Sequence, residues 1–256
     1  MSEYENLLLS KEGKVVILTL NRPEKLNTLD PNVWRELEIA ANEIEAMEDV
    51  GAVIINGAGK HFSAGIDLSV LEQLDSEFIL KNLAWAQSVY TRWEEFSVPV
   101  IAAVQGVCYG SAVELILACD IRVAADNLRI SIPEVRFGLA PDMGGTTRLP
   151  KLIGPGQAKR LIYSCDELDA GEAARIGLIE VAVEKDKLME EAIALANRIA
   201  AHPPVAVKMA KKGINLAMDS SVAAGLLFEQ AQSTYCCGTQ DQKEAIKAFF
   251  AANSPS

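Results

Sequence analysis

Apolar residues recur along the chain at two distinct periods. Lys14 to Leu20 (KVVILTL) is a short apolar run that predicts a buried strand, closed by the polar turn Asn21-Arg22-Pro23. From Pro31 to Met47 apolar positions return at helical spacing. Asp30 is suited to the N-cap and Pro31 to the first helical position, which predicts a helix. Ala52 to Ile55 and Val100 to Val104 predict further buried strands, the latter introduced by Pro99, and Ile121 to Ala124 and Arg129 to Ile132 shorter ones. Helices are predicted over roughly 78–95, 112–118, 155–164 and 170–176. From about Lys185 the pattern is helical almost throughout, interrupted at His202-Pro203-Pro204, Asp219-Ser220 and Cys237-Gly238. Alternating strands and helices predict a parallel α/β core, taken as residues 1–195. Residues 196–256 form a helical C-terminal region that packs either on this core or on a neighbouring subunit.

Composition narrows the picture. With 256 residues, half of them hydrophobic, the chain can bury one sizeable core. Its net charge of −11, from 35 acidic and 24 basic side chains, lacks the basic surplus of a nucleic-acid binder. An anionic ligand then requires a local basic cluster or backbone amides. The N-terminus, MSEYENLLLSKEGK, has neither the order of a signal peptide nor the Arg-rich character of a transit peptide. No apolar run reaches the ~18–20 residues that span a bilayer. The five cysteines are odd in number and show no C-x-x-C spacing, so reduced thiols, a cytoplasmic location and no metal site are expected.

Four stretches carry candidate chemistry. Asn21 to Leu29 is a polar, turn-rich link between strand and helix. Gly57 to Leu68 (GAGKHFSAGIDL) is glycine-rich and presents backbone amides. It is not a P-loop, because His61 stands where Ser or Thr must follow the lysine, and it is not a dinucleotide fingerprint, because Phe62 replaces the third glycine. Gly106 to Asp120 predicts a strand end, a glycine turn and a short apolar helix whose first turn contains Glu114. A carboxylate in that company either faces solvent or has a partner or purpose. Ile132 to Leu149 adds Glu134 and Asp142, with Arg136 and Arg148 close enough in sequence to offer ordinary ion pairs.

In combination, N-R-P-x-x-x-N-x-L, F-S-A-G-x-D-L, G-x-x-x-G-x-x-x-E-L-x-x-x-C-D and P-E-x-x-x-G-L-x-P-x-x-G-G-T-x-R-L closely resemble the enoyl-CoA hydratase/isomerase (crotonase) superfamily. The resemblance spans nearly the whole chain. It implies an α/β fold, a crotonase-like spiral of ββα repeats with a helical C-terminal appendage serving oligomerisation and pocket cover. It also implies an acyl-CoA thioester as substrate, no cofactor beyond that coenzyme A, and a homotrimer or a hexamer built from two trimers. By the same resemblance the amides of Ala64 and Ser111 polarise the thioester carbonyl, and Glu114 and Glu134 hold the water that adds across the 2,3 double bond. Ser111 stands where glycine is commonest, and its side chain is expected to narrow the pocket or alter the loop. Arg22 and Lys25 are the candidates for the CoA phosphates, with Leu26, Ser63, Ala64, Ile66, Asp67 and Leu68 completing the CoA-binding set. Asp142 and the G-I-D-L run resemble dienoyl-CoA isomerases, in which Glu134 and Asp142 would shuttle a proton, whereas Glu114 fits the hydratases. Hydration is the preferred reading, ahead of dienoyl isomerisation and of dehalogenase, hydrolase or decarboxylase relatives; a non-catalytic or RNA-binding relative is the other class. In segment 68–98, Leu71, Leu74, Phe78, Leu83, Trp85 and Tyr90 either line an acyl pocket or pack a helix.

Overall fold

The computed structural model describes residues 4–252. In chain order the elements are β1 (Leu7–Glu12), β2 (Val15–Leu20), α1 (Pro31–Glu45), β3 (Ala52–Gly57), α2 (Leu68–Leu71), α3 (Ser76–Glu94), β4 (Val100–Val104), β5 (Val107–Tyr109), α4 (Ser111–Leu117), β6 (Ile121–Ala125) and β7 (Arg129–Ser131). They continue with α5 (Arg148–Ile153), α6 (Pro155–Ser164), β8 (Leu168–Asp169), α7 (Ala170–Arg175), β9 (Val181–Val183), α8 (Leu188–Ala200), α9 (Pro204–Ala217), α10 (Val222–Cys236) and α11 (Gln240–Ala252). Most predicted elements form within a residue or two of the expected limits. The strand β1 escapes the hydrophobic pattern because it is an edge strand on which Leu7 alone is buried. It pairs antiparallel with β2; from β2 onward the main sheet, ordered β1-β2-β3-β4-β6-β9, is parallel.

Strand periodicity sorts the core into two layers. Val16, Leu18, Val53, Ile55, Ala102 and Val104 face α1, α3 and α4, while Val15, Ile17, Ala52, Ile54, Ile101 and Ala103 face α8. The face of α8 is built by Leu188, Ala192 and Ala196 at fourfold spacing, small enough to let the helix lie close to the sheet. The division expected after residue 195 therefore falls inside a core helix, and the core extends to the end of α8. Beyond it, α9 is pinned to the core by Lys211, whose Nζ donates to Asp120 Oδ2 at 2.7 Å and to the Val98 carbonyl at 3.2 Å. A second sheet, β5-β7-β8, carries the chain from β5 through Gly110 directly into α4.

Candidate active site

Two loops meet at the first turn of α4. The Arg22 guanidinium pairs with Asp30 at 2.9 Å and Asp67 at 3.4 Å and donates to the Thr28 carbonyl at 2.8 Å. This cluster ties the loop after β2 to the loop after β3. Asp67 also accepts from Thr28 Oγ1 and caps α2 through Ser69. Burial alone would raise its carboxyl, but the bonds from Ser69 and Thr28 and the charge of Arg22 bring it down to about 2. Arg22, assigned to the CoA phosphates from sequence, is thus buried and used inside the protein, and Asp67 is its partner there. Ser63 is fully buried, its Oγ accepting from the Gly65 amide at 3.1 Å. Of the expected CoA-binding set, Lys25, Leu26 and Leu68 are exposed.

The Ala64 amide, expected to polarise the thioester, donates to the Leu26 carbonyl at 2.9 Å and is not available. Two residues on, the Ile66 amide has no acceptor among the described residues, because Leu29 bonds to Gly65 and Asp67 on either side of it. Gly65, at φ +89°, lets this loop reach α4: a Cβ there would lie 2.4 Å from the Tyr109 carbonyl and 3.4 Å from the Ser111 nitrogen. Ser111 opens α4, so its amide also lacks an intrahelical acceptor. Ile66 and Ser111, whose amides have no acceptor among the described residues, both border one pocket. The Ser111 side chain, expected to narrow the pocket or alter the loop, has its hydroxyl turned to Tyr90, with Oγ 2.8 Å from the tyrosine oxygen, while the residue borders the cavity.

The cavity measures about 750 Å³, within the usual range for small-molecule sites. Its apolar wall includes Trp34, Leu71, Leu74, Phe78, Leu83 and Ala86. Of the side chains left open between pocket and packing, Leu71, Leu74, Phe78 and Leu83 line the cavity. Trp85 packs edge-on against Trp34 at 6.2 Å, and Tyr90 is wholly buried.

Glu114, Glu134 and Asp142 all reach this cavity. Glu114 is 1% exposed, which excludes a solvent-facing role. Its Oε1 accepts amide hydrogens from Met143 at 2.9 Å and Gly145 at 2.8 Å. Glu134 Oε2 is buried without a hydrogen-bond partner among the described residues. Only glycine fits at Gly110, where φ is +52° and a Cβ would sit 2.7 Å from Glu134 Oε1. The ion pairs that sequence allowed do not form: Arg148 pairs with Glu94 at 2.7 Å, and Arg136 donates to the Cys165 carbonyl at 3.0 Å.

With no cation among them, all three carboxyls shift upward. Burial, together with the charges of Glu134 and Asp142, raises Glu114 to about 8 against two amide bonds that pull the other way. Burial and Asp142 raise Glu134 to about 7. Loss of hydration raises Asp142 as well. Near neutral pH the Glu114–Glu134 pair therefore carries about one proton between them, which supplies an acid and a base side by side. Among the described residues, no group of three or more His, Cys, Asp or Glu side chains is placed to hold a metal, and no helix is long and apolar enough to cross a membrane.

The chain is similar to known proteins over nearly its whole length. The profile of the enoyl-CoA hydratase/isomerase family matches residues 10–256. The short-chain-enoyl-CoA hydratase of Clostridium acetobutylicum is 42% identical over 248 residues, 96% of this chain and 95% of the relative. The crotonyl-CoA hydratase of Syntrophomonas wolfei is 38% identical over 247 residues, again 96% and 95%. A crystal structure of enoyl-CoA hydratase from Bacillus anthracis superposes with a TM-score of 0.94 at 34% identity, covering 98% of each chain.

Proposed function

Since the chain belongs to the enoyl-CoA hydratase/isomerase family, we propose that it adds water across the 2,3 double bond of an acyl-CoA thioester at the Glu114–Glu134 pair. The thioester oxygen sits against the Ile66 and Ser111 amides, and the acyl chain lies along the apolar wall. As the water oxygen bonds to C3, one carboxylate takes a proton from it. Electrons move towards the thioester oxygen, where the two amides stabilise the enolate. The other carboxyl then delivers its proton to C2. The pair returns to its starting charge and the reaction is redox-neutral, so coenzyme A carried by the substrate is the only cofactor the scheme requires.

The observation that carries this reading is the pair of raised, cation-free carboxyls beside two free amides. Asp142 favours a second reading: it borders the same cavity and its charge acts on Glu134, as a proton shuttle along a dienoyl chain would require. Glu114, held by two amides, serves hydration and is left without a role in that shuttle. Exposed Lys25 is the remaining basic candidate for the CoA phosphates. The exposed apolar residues Ile214, Val222, Leu227 and Tyr235 on α9 and α10 support assembly into trimers, or into hexamers of two trimers. The free thiols Cys108, Cys119, Cys165, Cys236 and Cys237 suit the reducing cytoplasm. The test follows loss of the conjugated enoyl absorbance for wild type and Glu134→Gln. The variant is expected to bind the CoA ester normally and to lose ~10²–10⁴ in turnover. Near-normal turnover removes Glu134 from the mechanism.

A further inference from the structure

The Ser111 hydroxyl is held by a residue that never reaches the cavity. Tyr90, on α3, is fully buried, and its oxygen lies 2.8 Å from Ser111 Oγ and 3.2 Å from the Ser111 carbonyl. Two hydroxyl protons must be placed here. If Ser111 donates to the tyrosine oxygen, the tyrosine proton goes to the Ser111 carbonyl and both are satisfied. If tyrosine donates to Oγ, the serine proton has no acceptor among the described residues, which is costly in a dry site. The first arrangement grips Ser111 at two atoms. Burial pushes the Tyr90 hydroxyl well above the ordinary tyrosine range, so it stays neutral and keeps its proton. Through Tyr90, the opening residue of α4 is thus tied to α3, whose Phe78, Leu83 and Ala86 form the acyl wall.

We propose that Tyr90 is a positioning residue: by gripping the Ser111 side chain and carbonyl it fixes the direction of the Ser111 amide towards the thioester oxygen. This rests on the hydratase reading, in which that amide stabilises the enolate. A serine at this position then needs a partner that turns its hydroxyl away from substrate, and Tyr90 supplies it. Tyr90 touches no reacting atom, so losing its hydroxyl should affect the chemical step more than binding.

The test uses full-length wild type, Tyr90→Phe, Ser111→Ala and the double variant. Turnover of a four-carbon 2-enoyl-CoA is measured, with the infrared carbonyl stretch of bound butyryl-CoA carrying ¹³C at C1. Each single variant is expected to lose about five- to tenfold in kcat with KM within about twofold, as for one or two lost hydrogen bonds. Tyr90→Phe removes both contacts and Ser111→Ala only the hydroxyl one, so the double variant should be no worse than Tyr90→Phe alone. In wild type the carbonyl stretch should fall on binding, and in both single variants it should move back towards the free value. If wild type shows no such fall, the oxyanion reading itself fails. If wild type shows it but neither variant changes it or kcat, the positioning role is overturned. Should Tyr90→Phe not fold, Ser111→Ala decides by the same two readouts.

Discussion

Two clusters of acids in this molecule are built oppositely. Asp30 and Asp67 enclose Arg22, and Asp67 titrates near 2. Glu114 and Glu134, which border the cavity, meet no cation among the described residues and titrate near 8 and 7. Burial raises all three carboxyls, but Glu114 and Glu134 lie deeper, and at Asp67 the hydrogen bonds from Ser69 and Thr28, followed by the charge of Arg22, outweigh it. Arg136 and Arg148 lie in the same segment as Glu134 and Asp142 yet are directed to Cys165 and Glu94. Paired acids build the loops that shape the pocket. Unpaired acids, costly to keep buried, are the groups to which we assign proton transfer.

The contrast is broken most severely at Glu114. Glu114→Gln is expected to lower turnover by ~10²–10⁴ while stabilising the fold in alkali. The folded carboxyl titrates at about 8 against an ordinary 4.5, so the folded protein holds the extra proton between those values and stability falls as pH rises through that window. The variant should therefore melt above wild type at about pH 9 in a thermal scan. For wild type, kcat/KM should be bell-shaped, with limbs near 7 and 8 belonging to the pair. A flat profile across this range would disconnect the shifted carboxyls from catalysis.

The amides come next. Ile66→Pro deletes one free N–H and should cost roughly 10²–10³ in kcat in a protein shown by circular dichroism to be folded. Ala64→Pro removes instead the bond to Leu26, and its main effect should be a lower melting temperature. Equal catalytic loss in both variants, each folded, would mean that the two amides had not been told apart.

Asp67→Asn sharpens the comparison from the scaffold side. A carboxyl held at about 2 against an ordinary 3.8 contributes stability that is present above 3.8 and lost as pH falls through 2. At neutral pH the variant should lose roughly 1–2 kcal/mol in denaturant unfolding, after allowance for solvent screening, with the deficit vanishing in strong acid. The smallest effect is expected at Asp142. If hydration runs on Glu114 and Glu134, Asp142→Asn should leave it within about tenfold, as expected of a residue that only tunes its neighbours.

Much of this is legible in the sequence. KVVILTL, AVII and the Val100 to Val104 run announce the parallel strands, and the Asp30-Pro31 pair announces α1 with its cap. The carboxylates are legible because Glu114 lies in an apolar helix and Glu134 in a glycine-rich segment. Three points depend on long-range contacts that local pattern does not contain. Arg22 looks like a free cation until Asp67, 45 residues away, closes on it. Which amide of the F-S-A-G-x-D-L loop stays free is decided by the Leu26 carbonyl. Tyr90 has the pattern of a core or pocket residue, and its grip on Ser111 emerges only when α3 lies against α4.

The central claim is that cation-free Glu114 and Glu134 hydrate a 2-enoyl-CoA, and two absorbance traces test it most directly. Wild-type protein is given a four-carbon 2-enoyl-CoA in one cuvette and a 3,5-dienoyl-CoA in the other, and both are repeated with Asp142→Asn. The account expects rapid loss of the enoyl chromophore by wild type, most of that rate kept by the variant, and little turnover of the dienoyl substrate. Fast dienoyl isomerisation by wild type, abolished in Asp142→Asn and accompanied by negligible hydration, would contradict it.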